Sequence, residues 1–305
     1  SGPGIHVATA ANIDYVDLIE CNFTGNSGGG LYAGQSSSTP GGFNHVNISD
    51  CVFQNNGATT NQAGLYIEKL SNAAITGNTF TNNGIATNAR AIIINLKHSN
   101  FSNVSISQNI MNETRGSATN GYGMFIAARN DGSYATLPAY LSNVTIGSNE
   151  LANFRNGIGF ENNVDWNTTT VLNNKILNCY IALYGAGANA GLAMNVHDND
   201  FTGSGIYHLA NGVAGNTINA TCNWYGTIAS GAIAGKIAGV VNYSPWYTTG
   251  TDGAGTGFQP TGTCNGTPVV ISSVIADHIR CGEVTGSITV NFSGGFAPYG
   301  IVDCS

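Results

Sequence analysis

VSISQNIM (104–111), VTIGSNEL (144–151) and MNVHDNDF (194–201) carry one pattern: apolar, any, apolar, any, any, Asn, any, apolar. Working outward, it returns in AAITGNTF (73–80), TTVLNNKI (169–176) and INATCNWY (218–225), and with Cys for Asn in VDLIECNF (16–23) and VNISDCVF (46–53). The sixth place is Cys21, Cys51, Asn78, Asn109, Asn149, Asn174, Asn199 and Asn223, and subtracting neighbours gives intervals of 30, 27, 31, 40, 25, 25 and 24 residues. Recurrence at that period, with strand-type alternation inside each unit, marks a solenoid. The Asn has a physical reason. Its amide both donates and accepts, so like residues stacked about 4.8 Å apart can bond in an unbroken ladder. Asn also tolerates the left-handed backbone of a tight corner, which the ladder position is expected to adopt.

After each corner comes a second apolar run, usually entered through Gly: GLY (30–32), GLYI (64–67), AIII (91–94), GMFI (123–126), GIGF (157–160), YIALY (180–184) and GIY (205–207). Short strands joined by Gly, Asn and Ser corners predict a parallel coil of about eight rungs, on the order of 40 Å long. Residues 1–15 are expected to cap its open end. No stretch sustains a helical period; GAIAGKIAGVV (231–241) is nearest and too rich in Gly to read as a helix. The longest interval, between Asn109 and Asn149, holds an excursion over 127–143. Long departures from a regular scaffold are where binding residues sit. Arg129, Asp131, Tyr134 and Tyr140 are therefore the expected ligand contacts.

Composition agrees with an all-β coil. Only 8% of the 305 residues are charged, while Gly numbers 42. A net charge of −7 with nine Lys and Arg argues against nucleic acid or an anionic membrane as partner. No run approaches the roughly 18 apolar residues of a membrane span. The chain opens Ser-Gly-Pro-Gly without Met, which leads us to expect a processed product or a fragment. Its seven Cys include no CxxC, so structural disulfides in an oxidising, extracellular setting are expected in place of a metal site.

The run NATCNWYGT (219–227), with VVNYSPWY (240–247) and GFQPTGTC (257–264), resembles the closing rung of right-handed parallel β-helix, pectin-lyase-like proteins common on the surface of Bacteroidetes-type bacteria. Residues 267–300, with a Cys-Gly, then GSITV, then GGFAPY, resemble the start of the SprB-type repeat of gliding adhesins. The resemblance implies a parallel β-helix with N-terminal cap over 1–247, a linker over 248–267 and a partial Ig-like module over 268–305. An Ig-like sandwich needs about seven strands, and this segment supplies too few. We expect it to continue in a longer polypeptide, the alternative being a second protomer that completes the sheet.

The candidate chemistry is thin. Asp198 and Asp200 flank a ladder corner beside His197, and Glu20 and Asp50 precede the ladder position on adjacent rungs; all four carboxylates are expected to be solvated. Glu150, Lys175 and Asp200 follow it on successive rungs and should form a surface ion ladder. Trp224, Trp246 and Tyr247 are expected to cap the C-terminal end. Disulfides are expected at Cys21–Cys51, whose spacing on adjacent rungs suits one, at Cys222–Cys264 and at Cys281–Cys304, leaving Cys179 over. The expectation is a non-catalytic cell-surface adhesin or binding module for surface glycans or another protein, with no metal and no cofactor. The alternative is a polysaccharide lyase or glycoside hydrolase on the same fold, which shape alone does not exclude.

Overall fold

A computed structural model of the chain describes residues 2–59, 62–116, 120–187, 191–277 and 286–295. Cys281, Cys304 and His278 lie outside them. Three sheets wind in the order A, B, C and back to A, with ten strands in A, nine in B and six in C among the described residues, all parallel except Gly84–Ile85 of sheet A. One rung shows the path: Asn120–Ala128 in A, Tyr140–Gly147 in B, Glu150–Ala152 in C, then Asn156–Asn162 in A again. The chain is a parallel β-helix, as its period requires.

In-register stacking puts like residues on like. Ile48, Ile75, Ile106, Ile146, Val171 and Val196 form one fully buried column from sheet B. In sheet C, Phe23, Phe53 and Phe80 stack nearly face to face at 4.8 Å between ring centres. That is the rung spacing itself, so the rings are parallel because the strands are. Each such side chain contributes roughly 1.5–3 kcal/mol through burial.

Between sheets B and C runs the ladder. Asn149 is representative: its main-chain N–H and its Nδ2 both donate to Asn174 Oδ1, at 3.0 and 2.9 Å, and Nδ2 also donates to Ile106 and Gly147 carbonyls. The same scheme links Asn78, Asn109, Asn174, Asn199 and Asn223, all fully buried. One detail corrects the expectation. The left-handed residue is the one before the ladder position: Glu20, Asp50, Gly77, Gln108, Ser148, Asn173, Asp198 and Cys222 all have φ between 54° and 70°. The ladder residue is free of that strain and chosen for its amide alone.

Cys21 and Cys51 are free thiols, not the expected disulfide. Cys51 stands in for an Asn. Its N–H donates to Asn78 Oδ1 at 2.9 Å, and its sulfur accepts from Cys21 N–H at 3.3 Å. Its thiol is directed at the Leu18 and Ser49 carbonyls, the two equivalents of the Ile48 and Thr76 carbonyls that take Asn78 Nδ2. A bond to Cys21 would give up those contacts, and burial pushes the Cys51 thiol above its ordinary range. A second ladder, unforeseen, links Asn26, Asn56 and Asn83 at the corner between sheets C and A, with Asn56 Nδ2 3.0 Å from Asn83 Oδ1.

Both ends depart from expectation. Where a cap is expected over 1–15, the described residues 2–15 build none: Ile5–Val7 opens sheet A and Ile13–Ile19 opens sheet B. The buried Lys69 ammonium knits the loop between them, donating to the Ala8, Thr9 and Ala11 carbonyls. A short helix, Ser230–Ala234, does form over the start of 231–241, burying Ile233. The supposed linker folds back onto the coil. Phe258 is fully buried and exchanges main-chain and amide bonds with Asn173, while Asp252 pairs with Lys175 at 2.7 Å. Asp252 thereby displaces Asp200 from the expected ion ladder; Lys175 keeps Glu150 at 3.3 Å, and Asp200 accepts from Thr202 N–H. Cys222 and Cys264 form a disulfide that fastens the strap. Beyond it, Val270–Asp277 and Ser287–Ser293 pair as an antiparallel hairpin.

The ladder sets two classes of Asn apart. Asn149→Ala or Asn174→Ala strands buried partners on both sides and should cost about 1–3 kcal/mol by denaturant unfolding. Asn242, whose bond to Asn219 is solvent-exposed, should lose less than about 0.5 kcal/mol on change to Ala. Equal losses in all three would contradict the burial of the column.

His208 supplies a pH test. Its ring is buried against Tyr225, with Nδ1 3.2 Å from the Phe201 carbonyl, and burial together with nearby Lys236 depresses its pKa to about 4. The unfolded chain binds this proton as pH falls through about 6.5, while the folded chain does not until about 4. Stability should therefore drop across that window, by on the order of 3 kcal/mol when complete. His208→Gln should flatten the slope between pH 6.5 and 5, measured as denaturation midpoint against pH; an unchanged slope would show the ring takes up its proton while folded.

Candidate binding face

The outer face of sheet A differs from the other two. Alternation sends every second side chain outward, and register stacks the outward residues Tyr32, Tyr66, Ile93, Phe125, Gly159 and Tyr184 in one column. Tyr32 and Tyr66 stack at 5.6 Å. Beside this column runs Arg90, Tyr122, Asn156 and Ile181. Two residues further along each strand come Glu68, Asn95, Ala127 and Glu161.

Gly159 shapes the centre. A Cβ there would lie 2.5 Å from the Tyr184 ring and 3.1 Å from that of Tyr122, so the missing side chain lets both rings fold over the strand. Tyr122 packs on Phe125 at 4.8 Å, and its hydroxyl lies 3.1 Å from that of Tyr184. Tyr184 in turn donates to the Glu161 carboxylate. Burial first, and the Glu161 bond second, push the Tyr184 hydroxyl far above its usual range; burial also raises Tyr122. These phenols stay protonated and act as donors. Asn95 donates to Tyr66 Oη at 3.0 Å, and Glu68 is held by Lys97 and by Gln35 N–H. The face thus offers flat rings edged by fixed donors and acceptors, with its carboxylates already engaged.

Three of the four expected contact residues border it. Arg129 forks onto Asp131, which keeps that carboxyl below its usual range, and its guanidinium lies 4.5 Å over the Tyr134 ring. Lys97 and His98 approach the same ring. Tyr140 does not join them. It pairs with Asn100 at the start of a sheet B strand, near Asp165, because the excursion ends at Ala139 and regular winding has resumed.

The remaining candidates are scattered. Glu20 and Asp50 are exposed. Asp198 accepts from Tyr247 Oη and lies 2.7 Å from His197, while burial raises Asp200. Trp246 is buried against the closing rung, and Trp224 lies on the strap at Gly250. Among the described residues no three His, Cys, Asp or Glu side chains gather as a metal site would require. Sequence reasoning missed Tyr66, Tyr122, Tyr184 and Glu161. The signal was there: LYA, LYI, MFI and LYG each set an aromatic between two inward residues.

No curated protein and no solved structure matches the chain. The family model described as right handed beta helix region matches residues 3–224. That span covers every ladder position and all but the last winding of sheets A and B, and the chain belongs to the right-handed β-helix family.

Proposed function

We propose that this β-helix is a non-catalytic binding module of an extracellular, adhesin-type surface protein, and that the sheet A face docks a neutral glycan. The aromatic column carries the reading. Sugar rings present apolar C–H faces that lie on flat aromatic side chains, while hydroxyls take the polar tips, and Tyr combines both properties at low entropy cost. The engagement of Glu68 with Lys97, of Asp131 with Arg129 and of Glu161 with Tyr184 favours binding over acid–base chemistry. The Cys222–Cys264 disulfide supports an oxidising compartment. The exposed apolar residues Ile271, Val274 and Ile288 of the C-terminal hairpin support further strand addition there, in the manner of an SprB-type module or of a second copy.

A glycan array followed by calorimetry tests the reading. Tyr184→Ala and Tyr66→Ala should each weaken the best neutral oligosaccharide by at least about tenfold, roughly 1.4 kcal/mol, while Thr145→Ala on the outer face of sheet B should leave it unchanged. Binding that survives both Tyr changes would remove sheet A as the site. Polysaccharide turnover abolished by Glu161→Gln would replace the reading with a lyase or hydrolase on the same fold.

A further inference from the structure

The corner between sheets C and A changes character along the coil. Five residues after each ladder position stand Asn26, Asn56 and Asn83, and then Thr114, Phe154, Cys179 and Ser204. The second ladder stops at Asn83, whose carbonyl, with that of Gly84, is taken by Arg115. Past that point the corner opens into a groove of about 690 Å³, bordered by Glu113, Asn153, Arg155, Asn178 and Tyr180. Gly203 and Gly205 leave its floor bare; a Cβ on Gly205 would meet the Tyr180 ring at 2.9 Å.

Arg155 stands apart from the other cations. Lys69, Arg90, Lys97, Arg115, Arg129, Lys175 and Lys236 each donate to a carbonyl, an amide oxygen or a carboxylate. Among the described residues only the Arg155 head group has no hydrogen-bond acceptor; its guanidinium carbon lies over Tyr180, 3.4 Å from the ring centre. Stacking holds the fork rigid and leaves its N–H edge unspent. The carboxylate on the groove's border, Glu113, is committed elsewhere: Arg115 Nε bonds one oxygen at 2.9 Å and Nη2 the other at 2.6 Å. Asn178 has no side-chain hydrogen bond among the described residues, and Asn153 spends only its Nδ2, on Asn112. The groove therefore presents a preorganised guanidinium edge with unspent amide groups beside it.

We infer that this groove is a second binding site, for a sugar that carries a carboxylate. The planar fork matches a carboxylate through two parallel bonds, and the Asn153 and Asn178 amides suit the hydroxyls of the same ring. The site is separate from the sheet A face and does not rest on that face binding a glycan.

Calorimetry or ligand-observed NMR on the intact chain tests it, using the methyl glycoside of N-acetylneuraminic acid, methyl galactoside and acetate as probes. The acidic sugar should bind at least tenfold tighter than either of the others and weaken with added salt. Arg155→Ala should reduce its binding at least tenfold, and Arg155→Lys, which keeps the charge and loses the fork, should fall between. Tyr184→Ala should leave it unchanged, which separates this site from the sheet A face. Equal affinity for acetate, equal affinity for methyl galactoside in the Tyr184→Ala chain, or full binding by Arg155→Ala would each overturn the assignment. The acetate comparison needs no variant and stands even if Arg155→Ala fails to fold.

Discussion

Everything in this coil depends on satisfying polar groups at a corner that water cannot reach. Turning from sheet B to sheet C within two residues brings carbonyls such as those of Ile106 and Gly147 against the enclosed corner, where Asn149 Nδ2 donates to both, beside the bond Gly147 already takes from the Gln108 main-chain N–H. A buried unpaired carbonyl costs free energy on the scale of a whole hydrogen bond. One Asn per rung meets that demand, because Nδ2 serves two carbonyls while Oδ1 accepts from the rung before. The division of labour is local. The preceding residue takes the left-handed turn, and the ladder residue keeps an ordinary backbone.

Once the corner is set, register follows for the rest of each rung. A slip by one residue would turn every inward side chain outward, and the ladder forbids it. Inward columns then become stacks of like residues, and outward columns become uniform surfaces. Sheet B's outer column, with Asn47, Ser105, Thr145, Thr170, Asn195 and Asn219, is small and polar. Sheet A's is aromatic. Rigid strands hold the rings of Tyr32 and Tyr66 at a fixed spacing, which is the preorganisation that makes weak stacking contacts useful for binding.

How much of this the sequence discloses depends on whether a feature repeats. The period, the ladder and the inward strands recur on eight rungs and can be read directly. The second ladder spans only Asn26, Asn56 and Asn83, too few to stand out in a chain so rich in Asn. Features of long sequence separation are invisible to any periodic reading: Asp252 meeting Lys175, or Phe258 meeting Asn173, depends on where a strap without regular structure lands. The Cys21–Cys51 expectation failed for a subtler reason. Adjacent rungs do bring like residues within disulfide range, but stacking also aligns their side chains in parallel, and the buried carbonyls claim the thiol as they claim an amide. The candidate face was half legible. The excursion points to Arg129, Asp131 and Tyr134, which border it, whereas Glu161 and Tyr184 sit in regular strands and stand out only once outward positions are read as columns.

The same logic explains where such a coil has room to differ from rung to rung. At the B–C corner an Asn cannot be exchanged without stranding neighbours above and below, and even Cys is accepted there only by imitating its bonds. At the C–A corner the amide column ends after three rungs, and there Arg115 donates to the Asn83 and Gly84 carbonyls. Beyond that closure no repeated residue is demanded. Phe154, Cys179 and Ser204 are buried and join no amide ladder, and their neighbours Arg155 and Tyr180 are free to be singular. Individual chemistry in a stacked fold therefore collects where a ladder has been terminated, because only there does a substitution concern one rung instead of the whole column.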